Sequence, residues 1–260
     1  MNKEIKRKSA QSLTAENTEI TLYLPYLLQD LWGLGTPVAD VLELVQKYIP
    51  DYQGMSILDL ACGKGANSIP LAKDFGMQVT GVDLIPEFIE YAIHRTKELD
   101  IEKLCKYKIE DITQTVKQAR CYDCALYLAV GGVLGNPKQI VSTLCNVVKP
   151  GGYLIIDYAY ATDKSQTHIR FSNKYASEEN WLEAFEHSNV KLINRVVVND
   201  FHVENNKIYG EVITQRTEEL ISQYPQYKEM FKSYLQSQLD ECFYIEKNIT
   251  TVISLFQKSF

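Results

Sequence analysis

A glycine-spaced turn and a carboxylate twenty residues further on are the groups in this sequence best suited to hold a ligand. Residues 57–67 read ILDLACGKGAN, an apolar run ending at Leu60 and then Gly63 and Gly65. Glycine at such a turn lets the chain bend tightly and lets a ligand approach the backbone. A helix opening near Asn67 would aim its amides and its positive dipole end into the turn. The next apolar run ends in Gly81, Val82 and Asp83. A carboxylate placed there can accept hydrogen bonds from both hydroxyls of a ribose. Turn and acid together point to a cofactor containing adenosine and leave open which one.

Alternating strand and helix signals surround these residues. Strands are expected at residues 56–60, 77–82, 106–109, 122–130 and 153–157. Helices are expected from about Asn67 to Phe75, from Pro86 to Leu99 and from Pro137 to Val148. Such alternation predicts a parallel sheet wound with helices on both faces. Before it, Thr36 and Pro37 open a helix carrying Val38, Val41, Leu42, Val45 and Tyr48 at helical spacing. After it come a helix at about 178–187, a β-branched strand at 190–198 and a last strand at 249–256. The stretch between those two strands is largely helical, and Tyr227, Met230, Phe231, Tyr234, Leu235 and Leu239 form a one-sided apolar stripe. That stripe either packs on the core or serves as a lid or a homodimer surface. The predicted organisation is an N-terminal tail and helical cap over 1–50, then a ligand-binding domain over 51–260 with a helical insertion at about 205–245.

Four segments, in order, carry a family likeness: DLACGKG from Asp59, GVDL from Gly81, Glu110-Asp111-Ile112, and LCNVVKPGGYL from Leu144. Together they resemble the ordered motifs of class I S-adenosylmethionine-dependent methyltransferases, in their broad small-molecule branch. The likeness runs from about Ser56 to Asp157. It implies a Rossmann-like α/β fold, a doubly wound seven-stranded sheet with an antiparallel last strand. It also implies S-adenosylmethionine as cofactor, with S-adenosylhomocysteine as product. Carried over by position, Asp59, Ala61, Gly63 and Gly65 would line the methionine end. Asp83 would bind the ribose, and Leu84 would pack on the adenine. Asp111 would sit near the adenine amino group, with Ile112 offering a backbone amide; a helix cap is the plainer role for Asp111. Leu128 and Ala129 would flank the sulfonium with backbone carbonyls.

A sulfonium methyl is already activated, so the protein's main task is to align donor and nucleophile. A general base is needed only where the nucleophile arrives protonated. The acceptor, a small molecule of unassigned identity, is expected at the carboxyl ends of the strands. Three regions can reach it: the N-terminal aromatics Tyr23, Tyr26 and Trp32, the exit of the fifth strand, and the helical insertion. Tyr158, Tyr160 and His168 are the candidates there for acceptor positioning or proton removal, although a loop histidine is more often simply solvated. Asn-Pro-Pro-Tyr or Asp-Pro-Pro-Tyr would mark an amino-methylating DNA enzyme, and here the chain reads LAVGG from Leu128.

A net charge of −6 without a basic stripe argues against nucleic acid as the substrate. No apolar run approaches the roughly 20 residues that span a bilayer, so no membrane partner is expected. Of the six cysteines only Cys121 and Cys124 are spaced as CxxC, and no second ligand pair accompanies them. Reduced thiols in a cytoplasmic core are therefore expected, and no metal. Two other classes compete. A nicotinamide-dependent oxidoreductase shares turn and acid but expects glycine where this chain has Ser68. A non-catalytic module that keeps the fold could bind S-adenosylmethionine without using it.

Overall fold

A computed structural model describes residue 15 and residues 17–162 and 175–260. These residues form two compact units. One joins Gly33–Val198 to Thr250–Phe260; the other joins the described residues before Gly33 to Asn199–Ile249.

The first unit is built on a seven-stranded sheet: β1 (Ser56–Leu60), β2 (Gln78–Asp83), β3 (Cys105–Ile109), β4 (Tyr122–Tyr127), β5 (Val148–Ala161), β6 (Val190–Val197) and β7 (Ile249–Lys258). Their order is β3-β2-β1-β4-β5-β7-β6. β1 pairs in parallel with both β2 and β4, and β2 with β3 and β4 with β5 do the same. β7 enters between β5 and β6 and runs antiparallel. This is the Rossmann-like arrangement expected from the alternation, and the antiparallel last strand is present. The chain order reverses between β1 and β4, and it is outside the carboxyl ends of strands at such a reversal that the ligand crevice of an open α/β sheet forms.

The helices follow the signals in the sequence, with one addition. They are α1 (Val38–Tyr48), α2 (Ser68–Phe75), α3 (Pro86–Glu98), α4 (Ile112–Gln118), α5 (Pro137–Val147) and α6 (Glu178–Glu186). α1, expected as part of a cap ending at residue 50, lies in the sheet unit, where it packs on β6. The addition is α4, seven residues opened by Asp111, whose side chain accepts from the Thr113 amide at 2.8 Å. Its sequence, ITQTVKQ, has too few apolar positions to show helical periodicity, but Ile112 and Val116 still turn inward. Leu58, Leu60, Ala125, Tyr127, Leu154 and Ile156 alternate along the central strands to form the inner face of the main core.

Two boundary differences bear on function. β4 ends at Tyr127, so Leu128 and Ala129 lie beyond the strand rather than in it. β5 begins at Val148, taking in the Lys149-Pro-Gly-Gly152 segment read as a turn, and runs on to Ala161. The register with β4 shifts between Tyr122 and Cys124, which absorbs that bend.

The second unit contains α7 (Asn199–Gln223) and α8 (Lys228–Asn248), so the insertion is longer than the sequence suggested. Within it Tyr23 meets Tyr224 and Phe231 edge-on, and Arg216 pairs with Asp30 and Glu219. Phe231 and Tyr234 of the apolar stripe are buried in this unit, as core packing requires. No described helix is long and apolar enough to cross a membrane.

Candidate functional site

The crevice is built from the exits of β1, β2 and β4. After Leu60 the backbone turns through three left-handed residues, Ala61 (φ 61°), Gly63 (φ 54°) and Gly65 (φ 79°). Two of the three are glycine, for which this conformation is nearly free. Ala61 pays about 1–2 kcal/mol for it, a cost that sits at the mouth of the crevice. Gly65 also lacks room: a methyl there would come within 3.0 Å of Ile69 and of the Tyr107 hydroxyl. Its carbonyl accepts from the Ile69 amide at 2.9 Å and so starts α2.

Asp83 ends β2 and closes the other side. Oδ2 accepts from the Gly63 amide and Oδ1 from the Ile85 amide, both at 2.9 Å. A carboxylate offers about four acceptor positions, so these amides do not exhaust its capacity to accept from a ligand hydroxyl. Burial raises its pKa above the usual carboxylate range, while the amides of Ile85, Gly63 and Leu84 pull the other way. Leu84 follows, half-buried.

Asp59 is the next-to-last residue of β1. It is buried and accepts from the Ser68 hydroxyl at the start of α2. Burial pushes its pKa up to about 7; the Ser68 hydrogen bond lowers it and the nearby Asp83 charge adds to the rise. Asp111 is the N-cap of α4, and Ile112, the first residue of that helix, is buried. Leu128 is buried, whereas Ala129 is exposed with φ 54°. The structure therefore links the turn Ala61–Gly65 to Asp83 through the Gly63 amide, sets Leu84 next to that acid, and puts Ala129 just beyond β4, the strand beside β1.

The acceptor-side candidates separate. Tyr158 is buried in the core against Trp181 and Phe185, with ring centroids 4.8 and 5.3 Å away. Tyr160, on the same strand face, leans on Tyr158 at 6.4 Å. His168 lies outside the described residues. One residue before Tyr158 on β5 stands an acid that sequence reasoning passed over. Asp157 is buried, accepts from the Thr36 hydroxyl, and is also reached by the Ala129 amide. Burial pushes its pKa up to about 6 against those two donors. An ionisable residue within the otherwise apolar run Tyr153–Tyr158 was the signal that could have found it.

The crevice can be tested for its fit to an adenosyl amino acid. α2 has no side-chain cap and no acidic residue in its first turn, so no side chain offsets the positive end of its dipole, although the Ile69 and Leu71 amides are taken by the Gly65 and Asn67 carbonyls and Pro70 has none. Asn67, at the cap position, carries a buried side-chain oxygen with no hydrogen-bond partner, an acceptor suited to an ammonium group. Gly63, where an added methyl would meet nothing nearer than Leu34 at 3.9 Å, leaves an open cradle. These groups fit the amino-acid end, and Asp83 fits a ribose. Among the described residues, no three histidine, cysteine or acidic side chains are arranged to hold a metal ion.

Comparison with known proteins decides the family. The family description that matches is "Methyltransferase domain", over residues 51–236. The chain belongs to that methyltransferase family. The methyltransferase is 31% identical over 189 residues to the mitochondrial ubiquinone biosynthesis O-methyltransferase of Homo sapiens, covering 65% of this chain and 51% of that protein. It is 28% identical over 121 residues to the 2-methyl-6-phytyl-1,4-hydroquinone methyltransferase of Synechocystis sp., covering 46% of this chain and 37% of that protein. The match thus spans about half or less of these relatives' length. In fold, the methyltransferase is similar to a SAM-dependent methyltransferase from Geobacter sulfurreducens solved with S-adenosyl-L-homocysteine. The TM-score is 0.74 at 16% identity, covering 90% of this chain and 97% of that one.

Proposed function

We propose that this chain transfers a methyl group from S-adenosylmethionine to a small-molecule acceptor. The observation that carries the reading is the Gly63–Asp83 pair set beside the uncapped start of α2. When bound, the cofactor supplies a methyl group activated by its sulfonium. Asp83 would accept from both ribose hydroxyls with Leu84 against the base, and Asp111 and Ile112 would lie at the far end of the adenine. The turn Ala61–Gly65 and the positive end of the α2 dipole would face the amino-acid carboxylate, and Asn67 the ammonium. Leu128 and Ala129 would line the passage to the acceptor and keep water from it. Ubiquinone- and hydroquinone-directed relatives support a small, ring-bearing acceptor. Four of the six thiols are buried and none is paired, which suits the cytoplasm.

Calorimetry with S-adenosylhomocysteine, S-adenosylmethionine and NAD tests the reading. Binding of both adenosyl amino acids without NAD is expected. Binding of NAD alone would replace the reading with the oxidoreductase.

A further inference from the structure

Residues 33–36, GLGT, lead into α1 and lie across the crevice. A methyl at Gly33 would sit 3.9 Å from Ala66, and the Leu34 side chain is equally close to where a methyl at Gly63 would be. Gly35 (φ 153°) is tighter still, since a methyl there would come within 2.7 Å of the Ala129 Cβ. The segment therefore spans from the glycine turn after β1 to the exit of β4. Its far end is fixed by Thr36, whose hydroxyl donates to buried Asp157 on β5. The same carboxylate receives the Ala129 amide. One buried acid on β5 thus ties down both the covering segment and the β4 exit.

The sheet order says which part of a ligand this touches. Asp83 on β2 and Asp111 beyond β3 lie to one side of β1, whereas Gly35, Ala129 and Asp157 lie to the other, over β4 and β5. We infer that Thr36 and Asp157 form a latch that positions the Gly33–Gly35 segment and Ala129 around the amino-acid and sulfur end of the cofactor, leaving the nucleoside end to Asp83. This rests on the S-adenosylmethionine reading. Thr36 and Asp157 are positioning residues, acting through the backbone they hold. Two features require their pairing. A buried carboxylate short of donors is costly, and among the described residues the side chain that donates to Asp157 is Thr36. A close glycine-to-alanine approach also has no slack, so loss of the anchor shifts the segment.

The test compares two ligands sharing a nucleoside, S-adenosylhomocysteine and adenosine, which lacks both the sulfur and the amino-acid chain, by calorimetry on the whole chain. Thr36→Val keeps the shape and removes the donor; it is expected to weaken S-adenosylhomocysteine about tenfold while changing adenosine by less than about twofold. Thr36→Ser restores the donor and should return affinity to the wild-type value. Gly35→Ala pushes the segment off Ala129 by contact alone and should give the same selective loss. Equal loss of both ligands, no loss in Thr36→Val, or failure of Thr36→Ser to restore binding overturns the latch. If Gly35→Ala does not fold, the two Thr36 variants decide. Wild-type protein that binds neither ligand sinks the cofactor reading itself, a result distinct from any of these.

Discussion

The Gly63 amide donates to the carboxylate of Asp83 at 2.9 Å, joining the exit of β1 to the end of β2. The acid that would grip a ribose also holds the turn that would receive the rest of the ligand. Asp83→Ala should therefore weaken S-adenosylhomocysteine by about 1–3 kcal/mol, more than one lost neutral hydrogen bond would give. An unchanged dissociation constant by calorimetry would remove Asp83 from the site.

Gly81 and Tyr107 predict a non-additive pair. A methyl on Gly81 would lie 2.6 Å from the Tyr107 ring and 2.9 Å from the Cys62 sulfur. Gly81→Ala should cost about 1–3 kcal/mol through overpacking. In Tyr107→Leu background the ring is gone, so the second substitution should cost at least about 1 kcal/mol less. Denaturant unfolding of the four proteins measures the cycle. Strict additivity would mean the clash relaxes elsewhere.

The buried acids predict a pH dependence with a definite sign. Asp59 titrates at about 7 in the fold and Asp157 at about 6, both raised by burial, against about 4 in an unfolded chain. The fold therefore holds protons that the unfolded chain releases. Their contribution is fully present below about pH 4 and is lost as pH rises through 6 and 7. Without ligand, the melting temperature should fall between about pH 5 and about pH 8, and fall less in Asp59→Asn. Equal falls in both proteins would contradict the burial argument.

Tyr158 is expected to matter for packing before chemistry. It fills the cluster with Trp181 and Phe185, so Tyr158→Ala should cost about 3–5 kcal/mol, as large aromatic truncations do, and Tyr158→Phe far less. Denaturant midpoints separate the two. A tyrosine-to-phenylalanine change as costly as the alanine one would show that the hydroxyl, not the ring, is the structural element.

Much of the cofactor side was legible because it is local. Gly63, Gly65 and Asp83 are each fixed by what a strand end needs next: a residue free to turn left-handed, or an acid facing backbone amides. The insertion's ends were less legible, since α7 and α8 carry weak one-sidedness across long polar runs. Asp111 shows the limit of a local reading: the same residue type at a strand end serves a helix cap, and the structure gives it that bond.

The sequence by itself determined the winding order, the glycine turn and the acid that ends β2, since apolar period and turn chemistry act over a few neighbours and survive in one dimension. Only the tertiary structure decided that Thr36 meets Asp157 across 121 positions, that Tyr158 faces the core, and that Asp59 is buried against Ser68. Those facts depend on which strand lies beside which and on which side of the sheet a residue falls. A chain that alternates faces at every residue does not announce either until the strands have paired.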